Sequence, residues 1–238
     1  MITTAVIMAA GMGTRFGNMT EKMPKGFVMY KNKPMIERSI ETLIACGIKR
    51  IVIGTGYKKE AYEELRQKYP QIECVYSPRY ADTNSMYTLY NCRKAIGKHD
   101  FLLLESDLIF NHKAITALLL SPYKSAMLIT SVRKFQDQYY VQMNEQQELI
   151  MCSTDATKLT PSGELVGIHK ICNDFYQQMV SDYAKKVHSQ PKLGYEYELL
   201  YISQNIQPLN VIKDDQCIWY EIDDLDDLHF AEKHIPID

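Results

Sequence analysis

The sequence predicts an α/β protein: a Rossmann-like, mostly parallel mixed sheet flanked by helices, with a small antiparallel and helical extension over the ligand edge. Three observations predict it. Short apolar runs suited to buried strands alternate with segments of helical period, the pattern of βαβ units. A glycine-rich loop, Ala10-Gly11-Met12-Gly13, follows the first apolar run, at the strand end where open α/β sheets bind ligands. After about residue 133 the runs become shorter and more polar, as in antiparallel strands with one wet face. A single domain over 1–238 is expected, with about 133–208 forming the extension.

In chain order, residues 5–9, 50–55, 72–76, 101–104 and 126–132 are the expected strands of the first half. The helix between the first two is delimited at both ends. Pro34 stands at its first turn, Met35, Ile36, Ile40, Leu43 and Ile44 share a face, and Gly47 stops it. Residues 60–69, 84–96 and 113–120 are the next expected helices. Strands at 139–143, 148–153 and 164–171 precede helices at 173–188 and 196–206. Strands at 209–212 and 218–222 are expected to return to the main sheet before a closing helix at 225–233.

Composition narrows the function. The 238 residues are 46% hydrophobic, enough for one sizeable core. Lys+Arg (27) nearly balances Asp+Glu (29) for a net charge of −2, so no positive field exists to hold nucleic acid or an anionic membrane. The six cysteines are scattered with no C-x-x-C pair, which reads as reduced thiols and excludes a zinc knuckle. No apolar stretch reaches the ~18 residues of a membrane span, and the chain opens directly on a strand-like run, so a cytoplasmic protein is expected.

Glycines after a strand let backbone N–H groups close on phosphate oxygens, although a plain tight turn would use them equally well. Two phosphate motifs fail. A dinucleotide fingerprint needs its third glycine one place earlier than Gly17 and an acidic end to the second strand, which instead ends Gly54-Thr55-Gly56. A P-loop needs lysine where Asn18 stands. What remains is G-x-G-x-R followed by Pro24-Lys25.

That combination resembles the signature of the sugar-nucleotide pyrophosphorylase-like nucleotidyltransferases. Later blocks are similar to bacterial phosphocholine and 2-aminoethylphosphonate cytidylyltransferases: Tyr80 to Tyr90, Glu105-Ser106-Asp107, and Tyr220-Glu221-Ile222-Asp223. The resemblance implies a transferase joining CTP to a small phosphonate or phosphate acceptor, best 2-aminoethylphosphonate, with release of pyrophosphate and dependence on Mg²⁺. Ala10, Gly11 and Gly13 would wrap the triphosphate, Arg15 would meet its outer phosphates and Lys25 its α-phosphate. Asp107 and Asp223 would hold the metal. Glu105 stands where relatives usually carry another residue, so the resemblance assigns it no role. A homodimer is left open.

Each assignment has a plainer counterpart. Arg15 and Lys25 could be solvated loop charges, Asp107 a turn former, and Asp223 a cap for the helix from Leu225. Asn84 and Ser85 offer short polar groups to a cytosine edge, or an N-cap to the helix that follows. Tyr195, Glu196 and Glu198, with Tyr197, Trp219 and Tyr220 nearby, are the candidate acceptor lining, where a carboxylate would favour a primary ammonium and aromatic faces a quaternary one. A sugar- or polyol-phosphate transferase and an inactive nucleotide sensor are the competing functions. The sensor is disfavoured because Arg15, Lys25, Asp107 and Asp223 are all present.

Overall fold

The computed structural model describes residues 2–133 and 138–237; residues 134–137, at the start of the expected extension, lie outside the described residues. The parallel centre of the main sheet is β1 (Thr4–Ala9), β4 (Arg50–Thr55), β5 (Ile72–Tyr76) and β6 (Phe101–Glu105), ordered β6-β1-β4-β5. Alternation along β1 explains its central place. Ala5, Ile7 and Ala9 enter the core on one face, and Val6 and Met8 enter the core on the other, as the two-residue period of a strand requires. The helices α1 (Met35–Ala45), α2 (Lys59–Lys68), α3 (Ser85–Asn91), α4 (Arg93–Ile96) and α5 (His112–Leu120) cover the two faces. The expected helix 84–96 is thus two pieces that meet at Cys92.

The strands β8 (Ala126–Thr130), β9 (Tyr140–Met143), β10 (Leu149–Ser153), β11 (Gly163–Ile171) and β12 (Asn210–Lys213) extend this sheet to nine strands. β11 pairs antiparallel with both β6 and β8, so the antiparallel half is hydrogen-bonded into the main sheet. Helices α6 (Asn173–Lys186) and α7 (Tyr195–Asn205) pack on one face, while α8 (Leu225–His234) closes a third apolar cluster containing Phe16, Tyr30, Ile109 and Ile222.

Two short strand pairs fall outside the sequence expectation. β2 (Met29–Tyr30) and β3 (Lys33–Pro34) form a hairpin whose turn, Lys31-Asn32, has φ of 45° and 67°, the paired positive values of a tight primed turn. More consequential is β13 (Trp219–Glu221), expected in the main sheet but paired antiparallel with β7 (Leu108–Phe110) in a separate ribbon. β7 lies directly after the Ser106-Asp107 turn, which hides it as a continuation of β6.

His169 on β11 is fully buried, and neither ring nitrogen has a hydrogen-bond partner. Burial holds its pKa down at about 3. The unfolded chain takes up a proton near pH 6.5 and the folded chain only near 3. The stability contribution is therefore complete above about pH 6.5 and falls as the pH drops below it. Between pH 7 and pH 5 the loss from this group is about 2 kcal/mol. Urea unfolding of wild type and His169→Met at both pH values should show that much less acid loss in the variant; equal losses would disprove it.

Candidate active site

Gly13 sits in the left-handed region (φ 63°), and a Cβ there would stand 3.0 Å from Lys25 Cβ. Glycine thus serves two purposes at this position: it turns the chain after β1 and lets the Lys25 segment press against the loop. Lys25 Nζ donates to Asp107 Oδ2 and, at 2.5 Å, to Asp223 Oδ1. Arg15 approaches the same Asp223 oxygen at 3.1 Å. Four residues from three distant parts of the chain therefore converge at the carboxyl end of β1 and β6. The β7–β13 ribbon causes the convergence, because Glu221 pairs with Leu108 and the Ile222 N–H donates to the Asp107 carbonyl 3.0 Å away.

Burial acts on Lys25 most strongly and favours its neutral form, but Asp107 and then Asp223 outweigh it and hold the ammonium charged above the usual lysine range. Asp107 Oδ1 is buried without a hydrogen-bond partner, and carboxylate oxygens of Glu105, Asp107 and Glu221 lie within 4.8 Å of one another. Such a donor set suits a hard divalent cation. Asp223 is not part of that trio; its Oδ1 is engaged by Lys25 and Arg15. The cap at the start of α8 is Asp224, whose side chain accepts from the Asp227 N–H, so Asp223 is released from that duty.

Two cavities adjoin this centre. One, of about 180 Å³, is lined by Ala10, Gly11, Lys25, Asn84, Ser85 and Asp107 among others. Asn84 does cap α3, its Oδ1 accepting from the Ser85 N–H at 2.8 Å, while also lining this cavity. The second, of about 140 Å³, is lined by Arg15, Gln138, Tyr139, Glu196, Glu221 and Asp223 with several apolar side chains. Glu105 lines both. Its carboxyl is raised well above the usual range by burial, then by Asp107, Glu196 and Glu221, and it accepts a 2.7 Å hydrogen bond from Tyr195 Oη. Glu196 is likewise raised, chiefly by burial.

The candidate acceptor lining needs correction at three positions. Tyr195 is completely buried and lines neither cavity; its hydroxyl reaches Glu105 from behind the wall. Glu198 faces α6, where Lys186 approaches it at 3.3 Å; two residues on from Glu196, it lies about 200° around the helix and cannot share its cavity. Trp219 is packed in the core, its indole N–H donating to Thr130 Oγ1 at 3.1 Å. Glu221 was missed. Its signal was the alternation Glu221-Ile222-Asp223, which puts both acids on the side opposite the buried Ile222.

A glycine loop with Lys25 and Arg15 beside it, at the carboxyl edge of a doubly covered sheet and facing a pair of aspartates, is the arrangement of a nucleotidyltransferase. The chain belongs to the MobA-like NTP transferase domain family, whose model matches residues 5–189. It is 46% identical over 86 residues to the choline-phosphate cytidylyltransferase of Streptococcus pneumoniae, and 33% identical over 113 residues to the 2-aminoethylphosphonate cytidylyltransferase of Lancefieldella rimae. Those two matches span 36% and 48% of this chain, and 37% and 46% of the relatives' lengths. The choline-phosphate cytidylyltransferase of Haemophilus influenzae is 27% identical over 229 residues, 94% of each chain. Among solved structures, the CTP:phosphocholine cytidylyltransferase from Streptococcus pneumoniae superimposes with a TM-score of 0.79 at 25% identity, covering 98% of this chain and 99% of that one. No helix among the described residues is long and apolar enough to cross a membrane.

Proposed function

We propose that this protein transfers the cytidylyl group of CTP to a small phosphonate or phosphate acceptor carrying a primary amine, best 2-aminoethylphosphonate, releasing pyrophosphate. The observation that carries the proposal is the convergence of Lys25, Arg15, Asp107 and Asp223 between two cavities joined at Glu105. The relatives named as choline-phosphate and 2-aminoethylphosphonate cytidylyltransferases support the nucleotide and the acceptor class. The segment after residue 133 supplies Gln138, Tyr139 and Glu196 to the acceptor cavity.

An acceptor oxygen is anionic at neutral pH, so it attacks the α-phosphorus without a general base as the bond to the pyrophosphate oxygen breaks. Loop N–H groups around Gly11 and Gly13 hold the phosphates. Lys25 stabilises charge developing at the α-phosphate, and Arg15, more than half exposed, steers and holds the outer phosphates. Asp107, with Asp223 or the neighbouring Glu105 and Glu221, would hold Mg²⁺. The ion would neutralise triphosphate charge and hold the reactants in line. Asn84 and Ser85 face the nucleotide cavity, where they would meet the base.

The amine preference follows from the lining. Glu105, Glu196 and Glu221 surround the acceptor cavity, whereas Trp219, the side chain best suited to a quaternary ammonium, is committed to the core. A primary ammonium donates charge-assisted hydrogen bonds that a trimethylated nitrogen cannot. Pyrophosphate release across four nucleoside triphosphates and a panel of phosphate and phosphonate acceptors tests the proposal. CTP with 2-aminoethylphosphonate should exceed CTP with phosphocholine by at least about tenfold in kcat/KM. Glu196→Gln should shrink that ratio mainly by slowing the amine. Equal or better use of phosphocholine by the wild type would refute the amine preference.

A further inference from the structure

The segment from Pro191 to Tyr195 is stitched to the nucleotide side of the site by four hydrogen bonds, one of them from Asn84 Nδ2 to the Lys192 carbonyl at 3.4 Å. The Asn84 N–H donates to the Pro191 carbonyl at 3.2 Å and the Met86 N–H to the Leu193 carbonyl at 3.3 Å. The Tyr195 N–H in turn donates to Ser85 Oγ at 3.0 Å. From this anchored backbone the Tyr195 side chain, with no exposed surface, runs under the site and places its hydroxyl 2.7 Å from Glu105 Oε1. Its ring packs edge-on against His169 at 5.5 Å, so it has little freedom to turn. Glu105 stands on the wall common to the nucleotide and acceptor cavities.

We infer that Tyr195 is a positioning residue: it fixes the Glu105 carboxyl at the junction of the two cavities and ties that position to the loop at Asn84 and Ser85. The inference rests on reading those cavities as nucleotide and acceptor sites. A fixed carboxyl leaves the path between the substrates open and presents one oxygen toward the acceptor. A released one swings among rotamers, crowds the triphosphate and spoils the alignment that in-line transfer requires.

The test is a double-mutant cycle of Tyr195→Phe and Glu105→Ala in the full chain, with two readouts. The first is turnover with CTP and either 2-aminoethylphosphonate or phosphocholine. Tyr195→Phe should lower kcat about tenfold, with the acceptor KM changed less than about threefold and the melting temperature within about 4 °C of wild type. In the Glu105→Ala background, which has no oxygen for the Tyr195 hydroxyl, the same change should have no further effect. The second readout is calorimetric binding of CTP without any acceptor. Tyr195→Phe should weaken CTP about fivefold, and not when Glu105 is already Ala.

Unchanged turnover and CTP affinity in Tyr195→Phe, or losses that multiply in the double variant, would overturn the role. A wild type that binds CTP yet transfers it to neither acceptor would instead overturn the proposed function, and the CTP cycle would still decide the role of Tyr195. If Tyr195→Phe folds poorly, Glu105→Gln compared with Glu105→Ala reads the same bond from its other end. Gln keeps an oxygen for the Tyr195 hydroxyl and should retain at least about fivefold more turnover than Ala; equal turnover would overturn the inference.

Discussion

Replacing Asp107 by asparagine or alanine is expected to lower kcat on the order of 10²–10³-fold at saturating Mg²⁺ while leaving the protein folded. Asp107 contributes little to packing, for one of its oxygens binds Lys25 and the other is buried with no partner at all. An orphaned carboxylate oxygen weakens the folded state. Lys25 would still keep Asp223 after the substitution. Asp107→Asn should therefore melt within about 4 °C of wild type, roughly the shift of a 1 kcal/mol change in a chain of this size. Turnover within a few-fold of wild type would remove Asp107 from the catalytic centre. A large fall in melting temperature would instead assign it to the fold.

Much of the first half of the molecule was legible because local pattern and tertiary role agree there. The expected 50–55 and 72–76 are the bounds of β4 and β5, and the face Met35, Ile36, Ile40 and Leu43 of α1 is buried as its spacing requires. Continuous apolar runs have one destination, the centre of a covered sheet. The loop residues Gly11, Gly13, Arg15 and Lys25 were legible for a different reason: their fixed offsets from the end of β1 tie them to one sheet edge.

What escaped was direction. A strand of three residues such as β7 carries too little pattern to distinguish it from a turn, so the partner of β13 could not be read from the chain. The β7–β13 ribbon nonetheless brings Asp223 to Asp107 across 116 positions of sequence. Around α7 the error was geometric. Tyr195, Glu196 and Glu198 were grouped by composition, yet successive helical positions turn by about 100°. One therefore points beneath the site, one into the acceptor cavity and one toward α6. Counting helical angles would have separated Glu196 from Glu198 without a structure.

Lys25→Ala is expected to reduce kcat by about 10²-fold or more, with the KM for CTP rising less than about threefold. Its ammonium is held charged by Asp107 and Asp223 and fixed beside the glycine loop by the close approach at Gly13. A cation so placed needs no reorganisation as charge builds on the α-phosphate, so its contribution falls on the transition state more than on the bound substrate. Arg15 offers the contrast. It is more than half exposed, so Arg15→Ala should act mainly through KM. Removing Lys25 also leaves Asp107 and Asp223 facing each other with Glu105 and Glu221 close by. That repulsion should cost about 3 kcal/mol of stability, which urea unfolding would register. Steady-state kinetics with CTP varied, for wild type and both variants, separates the two cations. If the whole effect of Lys25→Ala lies in KM, Lys25 only holds the triphosphate, and stabilisation of the α-phosphate charge must come from the metal and the loop N–H groups.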